Sequence, residues 1–171
     1  MNSTKIRNQI RAALFAAIIA VLSIFTIPTP AGIPLTLQTF AVALSGFCLG
    51  RKYGIEAVII YLTVGAIGLP IFSGMTGGLG KLFDVTGGYI FGFIPLAAMC
   101  TKNKSHLKNV LFSCVGLVLC HTVGIFWLSI IANTNPISAA ITTSLPFLPK
   151  DILSIATAYG ISCIISKRMR V

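Results

Sequence analysis

Acidic residues are almost missing from this chain. Glu56, Asp84 and Asp151 are its only carboxylates in 171 residues, and charged residues of either sign make up 9% of it. A soluble domain normally carries about 25% charged residues, so this composition cannot furnish a water-facing surface. Long polar stretches are lacking too, which leaves no room for a separate soluble domain. The five cysteines, at positions 48, 100, 114, 120 and 163, form no CxxC pair and no metal-ligand spacing. That excludes a disulfide framework and a zinc site and leaves them as small buried hydrophobes. No Ser/His, His/Glu or Asp/Asp pair stands at catalytic spacing within the apolar segments, so no enzyme active site is legible. A phosphate cradle is missing as well. The run Gly74 to Lys81 has a superficial likeness to a P-loop, but five residues separate Gly74 from Gly80, and Leu82 follows Lys81 where Ser or Thr is required. Any ATP-driven step therefore belongs to partner chains.

What is present is hydrophobic: 56% of the residues, with a mean hydropathy of +0.94. A bilayer-spanning helix needs roughly 20 mostly apolar residues, so the length holds six spans with short connections. Polar and Pro/Gly punctuation places them at 10–27, 37–50, 55–72, 86–101, 109–132 and 150–166. The whole chain reads as one all-α transmembrane domain, a compact bundle of six helices. Its second and fourth segments are short for a full span, which suits tilted or protein-buried helices. The first segment follows Lys5, Arg7 and Arg11 like a signal peptide, but it leads straight into further spans and reads as a retained helix.

The formal charge of +10 invites a nucleic-acid reading, but topology explains it better. Basic residues cluster in the N-terminal tail (Lys5, Arg7, Arg11), at Arg51 and Lys52, at Lys102, Lys104 and Lys108, and at Lys167, Arg168 and Arg170. The alternate connections hold only Lys81 and Lys150. An even number of spans with both termini in the cytoplasm accounts for that asymmetry, and the protein is expected in the plasma membrane as a multi-pass chain. Nucleic acid is excluded because no basic face forms.

The connections on the other side are rich in Gly, Pro and Thr: residues 28–36, 73–80 and 133–149. Prolines fix the backbone there and glycines allow close approach to a ligand. Asp84 and Asp151 lie at this outer face. Asp151, following Pro146-Phe147-Leu148-Pro149-Lys150, reads both as an acid at a helix N-terminus and as an acceptor for N–H groups of a ligand. His121 is the one titratable side chain in the middle of a span and reads as a neutral, satisfied histidine. In the first span, Ala12, Ala13, Ala16, Ala17 and Ala20 give overlapping small-xxx-small spacings, which let helix backbones meet closely in lipid.

Several ordered motifs then give the chain a family likeness: Gly32-Ile33-Pro34-Leu35-Thr36-Leu37-Gln38-Thr39; Tyr61-Leu62 with Gly65-Ala66-Ile67-Gly68-Leu69-Pro70; Thr86-Gly87-Gly88-Tyr89-Ile90-Phe91-Gly92-Phe93; Gly124 with Trp127-Leu128; and Pro146-Phe147-Leu148-Pro149-Lys150-Asp151. In these it resembles, nearly end to end, the BioY family, the biotin-specific substrate-binding subunits of energy-coupling factor (ECF) transporters. The resemblance implies a six-helix subunit without catalytic activity or cofactor that captures biotin at its outer face. Its partners are a transmembrane coupling protein and two ATPase subunits. The implied ligand site comprises Thr36, Gln38, Tyr61, Gly77, Gly78, Thr86, Tyr89, Trp127, Lys150 and Asp151, and the first-helix alanines, Ala13 and Ala17 above all, face the coupling protein. Asp151 would receive ureido N–H groups; Thr36, Gln38 and Thr86 would bond the ureido oxygen or the carboxylate; Tyr89 and Trp127 would wall the ring.

The chain departs from the family pattern at two places. Asp84-Val85 stands where Gly-Pro is common, and Ser154 stands where the family places a lysine three residues after the aspartate. Lys150 or Lys81 must then supply the cation, or the ligand differs. The alternatives to biotin binding are a substrate-binding subunit for another vitamin and a self-sufficient secondary carrier. A carrier of that kind shows internal repeats and an intramembrane ionic relay, and neither is evident here.

Overall fold

A computed structural model describes residues 3–27 and 34–168. Its first helix, α1 (Ser3–Ile24), buries Ala12, Ala16, Ile19 and Ser23, a stripe at helical spacing that packs on α2 (Gln38–Ala66). Between them, β1 (Thr26–Ile27) and β2 (Leu35–Thr36) form a two-stranded antiparallel ribbon, with Thr26 opposite Thr36 and Ile27 opposite Leu35. The ribbon joins the ends of a connection whose residues 28–33, including Gly32 and Ile33 of the first family motif, lie outside the described residues.

Although its residues run on without a loop, α2 is two helices. Gly50 has φ 77° and ψ 173°, a backbone that only glycine adopts cheaply, and the exposed Arg51 and Lys52 follow at the break. Beyond the break the two arms touch backbone to backbone: a Cβ on Gly54 would stand 2.8 Å from the Cα of Gly46. The first arm is buried almost throughout from Ala41 to Phe47, which is how so short a helix exists within a membrane protein. It is shielded by protein on all sides rather than by lipid.

After a loop holding α3 (Leu79–Leu82), α4 (Gly87–Met99) packs against α5 (His106–Ile131) and also against α2. Glycine permits this closeness, since a Cβ on Gly92 would meet the Cys120 backbone at 2.8 Å. The chain then forms α6 (Pro136–Ala139), a π-helical turn (Ala140–Ser144) and α7 (Leu145–Arg168), which runs along α2. These three pieces are one uninterrupted helical rod from Pro136 to Arg168. The last helix thus begins before the prolines, and Asp151 sits in its interior rather than at its N-terminus. Pro149 lies within the helix; proline removes a hydrogen-bond donor and crowds the preceding turn, and the wide turn just upstream loosens the ladder where that strain arises.

Among the described residues six helices therefore make up the bundle, counting the two arms of α2 separately, the Pro136–Arg168 rod as one, and leaving the single turn of α3 to its loop. Three of them, α1, α5 and the Pro136–Arg168 rod, are long and apolar enough by themselves to cross a membrane. Ile10, Leu14, Val21, Val118, Ile130, Ile152 and Leu153 are among the large apolar side chains exposed on their outer faces. Such a belt is stable only against hydrocarbon.

Candidate functional site

The polar groups that sequence reasoning singles out converge below the β1–β2 ribbon, where the start of α2, the start of α4, the middle of α5 and the upper part of α7 meet. The start of α2 contributes Gln38, whose orientation is fixed at both ends. Its Nε2 donates to Tyr61 Oη at 2.7 Å, and its Oε1 accepts from Thr36 Oγ1 at 2.9 Å. Tyr61 is itself held edge-on to Phe72, with ring centroids 5.4 Å apart, so the second arm of α2 braces the first through a buried hydrogen bond. A buried amide paired this way has one stable geometry.

From α7 come Lys150 and Asp151. The Asp151 carboxylate is in contact with the Lys150 ammonium through Oδ1 and lies 3.2 Å from His121 Nε2 through Oδ2. Both the aspartate and the histidine side chains are only 8% exposed. A buried carboxylate is costly unless it is paired, and here two partners from different helices answer it. Lys150 also donates to the Thr36 carbonyl at 3.1 Å. It therefore ties the ribbon to α7 while neutralising Asp151.

Tyr89, on α4, crosses to the π-helical turn, where its hydroxyl is 2.8 Å from Thr143 Oγ1 and 2.9 Å from Ser144 Oγ. Gly124 makes room for its ring, because a Cβ there would stand 2.4 Å from it. The Tyr89 ring also meets His121 edge-on at 5.8 Å.

These groups enclose a cavity of about 60 Å³. Thr36, Gln38, Tyr89, His121, Lys150 and Asp151 supply its polar wall, and Phe93, Leu117, Cys120 and Phe147 its apolar wall. Five of the ten sequence-derived ligand residues, Thr36, Gln38, Tyr89, Lys150 and Asp151, are thus brought together. The other five stand elsewhere. Tyr61 lies behind Gln38. Trp127 donates from Nε1 to the Asp84 carbonyl at 3.0 Å and packs beside Phe91, fastening the α3–α4 loop onto α5. Thr86 is buried at the start of α4, its hydroxyl without a partner among the described residues. Gly77 is pressed against the Leu69 carbonyl, 2.2 Å from where a Cβ would be, and the Gly78 N–H donates to the Gly65 carbonyl at 2.7 Å. These two glycines anchor the run to the end of α2, while Gly74, Met75, Thr76, Leu79 and Gly80 stay exposed.

His121, Phe93, Leu117, Cys120 and Phe147 line the cavity without having been singled out as ligand residues. For His121 the signal was a polar imidazole in the middle of an apolar segment; the other four carry no local mark. Ser154, one turn past Asp151, is buried and does not line the cavity. At the loop above, Lys81 Nζ donates to Asp84 Oδ2 at 2.9 Å, and that hydrogen bond holds the Asp84 carboxyl below the usual carboxylate range, against a smaller opposing push from burial. Among the described residues no group of three or more His, Cys, Asp or Glu side chains is gathered to hold a metal.

On α1, the alanines divide into two faces. Ala12 and Ala16 are buried in the bundle, while Ala13 and Ala17 are exposed. With Ala20, Ile60, Val64 and Ile71 the exposed pair lines an apolar groove of about 270 Å³ on the outside of the molecule.

Comparison with known proteins adds four findings. The family model described as BioY matches residues 1–171. The biotin transporter BioY of Thermotoga maritima is 36% identical over 157 residues, covering 89% of this chain and 91% of the relative. The biotin transporter BioY2 of Lactococcus lactis is 32% identical over 171 residues, covering 96% and 93%. Among solved structures, the S-component for biotin from an ECF-type ABC transporter superimposes with a TM-score of 0.86 at 25% identity, over 98% of this chain and 94% of that one.

Proposed function

The chain belongs to the BioY family, and from that premise we propose that it is the biotin-binding S-component of an ECF-type transporter, a multi-pass membrane protein and not an enzyme. The observation that carries this reading is the paired Lys150–Asp151 site beneath the β1–β2 ribbon, set in a fold that matches a biotin S-component over almost its whole length. Biotin presents two ureido N–H donors, an apolar bicyclic ring and a carboxylate. Asp151 accepts from the ureido group; Thr36 and Gln38 bond its oxygen; Tyr89, Phe93 and Phe147 wall the ring; Lys150 supplies the cation that Ser154 does not. Tyr61 supports this site by holding Gln38, while Gly77, Gly78 and Trp127 fasten the loop ahead of α4 and Thr86 is buried where that helix begins.

Pockets that bury a small organic ligand run to about 300–1,000 Å³, several times the volume enclosed here. Entry therefore requires the ribbon to lift, and the Lys150 ammonium, bonded at once to the Thr36 carbonyl and to Asp151, is the contact that must let go. A ligand offering N–H donors to Asp151 and a carboxylate to Lys150 replaces both halves of that ion pair, so capture of the solute offsets the cost of breaking it.

Lys and Arg crowd one end of the bundle, which supports placing both termini in the cytoplasm and the ribbon outside. The exposed Ala13–Ala17 face, lying beside an apolar groove, is suited to receive a helix of the coupling protein, to which two ATPases attach. The test is equilibrium binding of biotin to the purified, detergent-solubilised chain with thiamine and riboflavin as competitors. Biotin should bind and neither competitor should displace it. Displacement by another vitamin, with no response to biotin, would assign the site to that vitamin.

A further inference from the structure

Away from the biotin site, α5 packs chiefly on α4 and α7 chiefly on α2, and the two meet through the His106 and Asn109 contacts to Tyr159. The space between them is a cleft with two compartments. Nearest the C-terminal end of α7 is a polar basin of about 390 Å³ lined by Lys102, Lys104, His106 and Lys167. Next to it lies an apolar trough of about 220 Å³ between Val110, Cys114 and Leu117 of α5 and Ile152, Ile155 and Ala156 of α7. Asn109 and Tyr159 line both compartments, so the two adjoin across the hydrogen bond between those side chains.

The charge of the basin has one sign. None of the chain's three acids lines either compartment. The basin also receives the N-terminal end of the 26-residue α5, where Ser105 makes no side-chain cap, so the first N–H groups and the positive end of the helix dipole face it. Lys102 is spent on α7, donating to the Ser162 carbonyl at 2.6 Å and to Ser166, and Tyr159 Oη is engaged by His106 Nδ1 and by Asn109 Nδ2 at 3.1 Å. Lys104 and Lys167 are exposed and make no hydrogen bond or ion pair among those described. The trough beyond runs from Asn109 to Leu117, roughly 12 Å of helix, and its apolar wall opens sideways at Val110 and Ile152, which are 54% and 58% exposed.

We propose that this cleft is a binding site for one acidic phospholipid, its phosphodiester headgroup in the Lys104–His106–Lys167 basin and the upper part of an acyl chain in the α5–α7 trough. A basic basin at the interfacial end and an apolar trough toward the bilayer interior match the two halves of such a molecule in order and direction. A free anion fills only the first compartment and a neutral lipid only the second. The lipid wedges apart two helices that both contribute to the cavity above, His121 from α5 and Asp151 from α7, so it also stabilises the wall of that cavity.

The full chain, purified in neutral detergent, is titrated with phosphatidylglycerol, with phosphatidylcholine and with soluble glycerol phosphate. Bound lipid is counted by native mass spectrometry and stability followed by melting temperature. Phosphatidylglycerol should bind at one retained copy and raise the melting temperature, the other two much less. The double variant Lys104→Gln/Lys167→Gln should weaken phosphatidylglycerol binding by roughly ten- to thirtyfold, and Ala156→Trp, which fills the trough, should weaken it with the basic residues intact. Lys5→Gln/Arg7→Gln, which lie outside the cleft, should leave it unchanged. Biotin binding by each variant reports that it has folded. Parental phosphatidylglycerol binding by both cleft variants overturns the site. So does equal stabilisation by glycerol phosphate, which would make the basin a simple anion site.

Discussion

His121 Nε2 stands 3.2 Å from Asp151 Oδ2, and the two side chains, each 8% exposed, join α5 to α7 at the wall of the ligand cavity. Nearer the start of α5 the two helices meet again, where His106 and Asn109 reach Tyr159. The histidine therefore holds the aspartate's second oxygen while Lys150 takes the first, and together they fix the direction in which the carboxylate faces the cavity.

If Asp151 accepts from biotin, Asp151→Ala should weaken binding by roughly ten- to a hundredfold, the worth of a hydrogen bond to a charged group. His121→Phe should weaken it as well, by about tenfold, while His121→Gln, which keeps a donor, should lose less. In a double-mutant cycle the two losses should fall short of additivity, because both act on one contact. Isothermal titration of biotin measures each. Parental affinity in Asp151→Ala with only a lower melting temperature would reduce the aspartate to a structural group.

The two alanine faces of α1 predict opposite outcomes for the same substitution. Ala12→Trp puts a large ring where the side chain is fully buried and should destabilise the chain itself by about 1–3 kcal/mol or more. Ala13→Trp and Ala17→Trp change only the exposed face. They should leave biotin binding by the isolated chain intact while co-purification with the coupling protein and uptake fall. If uptake is unaffected by Ala13→Trp and Ala17→Trp together, that face meets lipid instead.

Orientation is decided by labelling. In a cysteine-free background, Thr134→Cys, just before α6, should react with an impermeant thiol reagent in intact cells, and Asn103→Cys, between α4 and α5, should react only after permeabilisation. Both positions are exposed. The reverse pattern would invert the bundle and place the β1–β2 ribbon inside.

Much of this molecule was legible from composition and order alone. Hydrocarbon solvent imposes so strict a rule on the backbone that apolar run length and Pro/Gly punctuation suffice to count six helices, and scarcity of acids made Asp151 conspicuous. Such signals are local, and they stop where direction matters. Prolines at 146 and 149 suggest a helix beginning near 150; whether the helix instead starts at Pro136 depends on a π-helical turn held by Tyr89 from another helix. Alanine spacing marks α1 as a close-packing helix, but both stripes have the same spacing, and only contact with α2 decides that Ala12 and Ala16 turn inward. Trp127 sits in a motif beside the cavity yet fastens the α3–α4 loop, because its partner, the Asp84 carbonyl, comes from a distant segment. The pairing of His121 with Asp151, and of Lys150 with both Asp151 and the Thr36 carbonyl, joins residues 30 to 114 positions apart along with immediate neighbours. No pattern along one helix encodes such a pairing. It follows from how far apart packing holds α5, α7 and the ribbon, and that distance is set by the whole bundle.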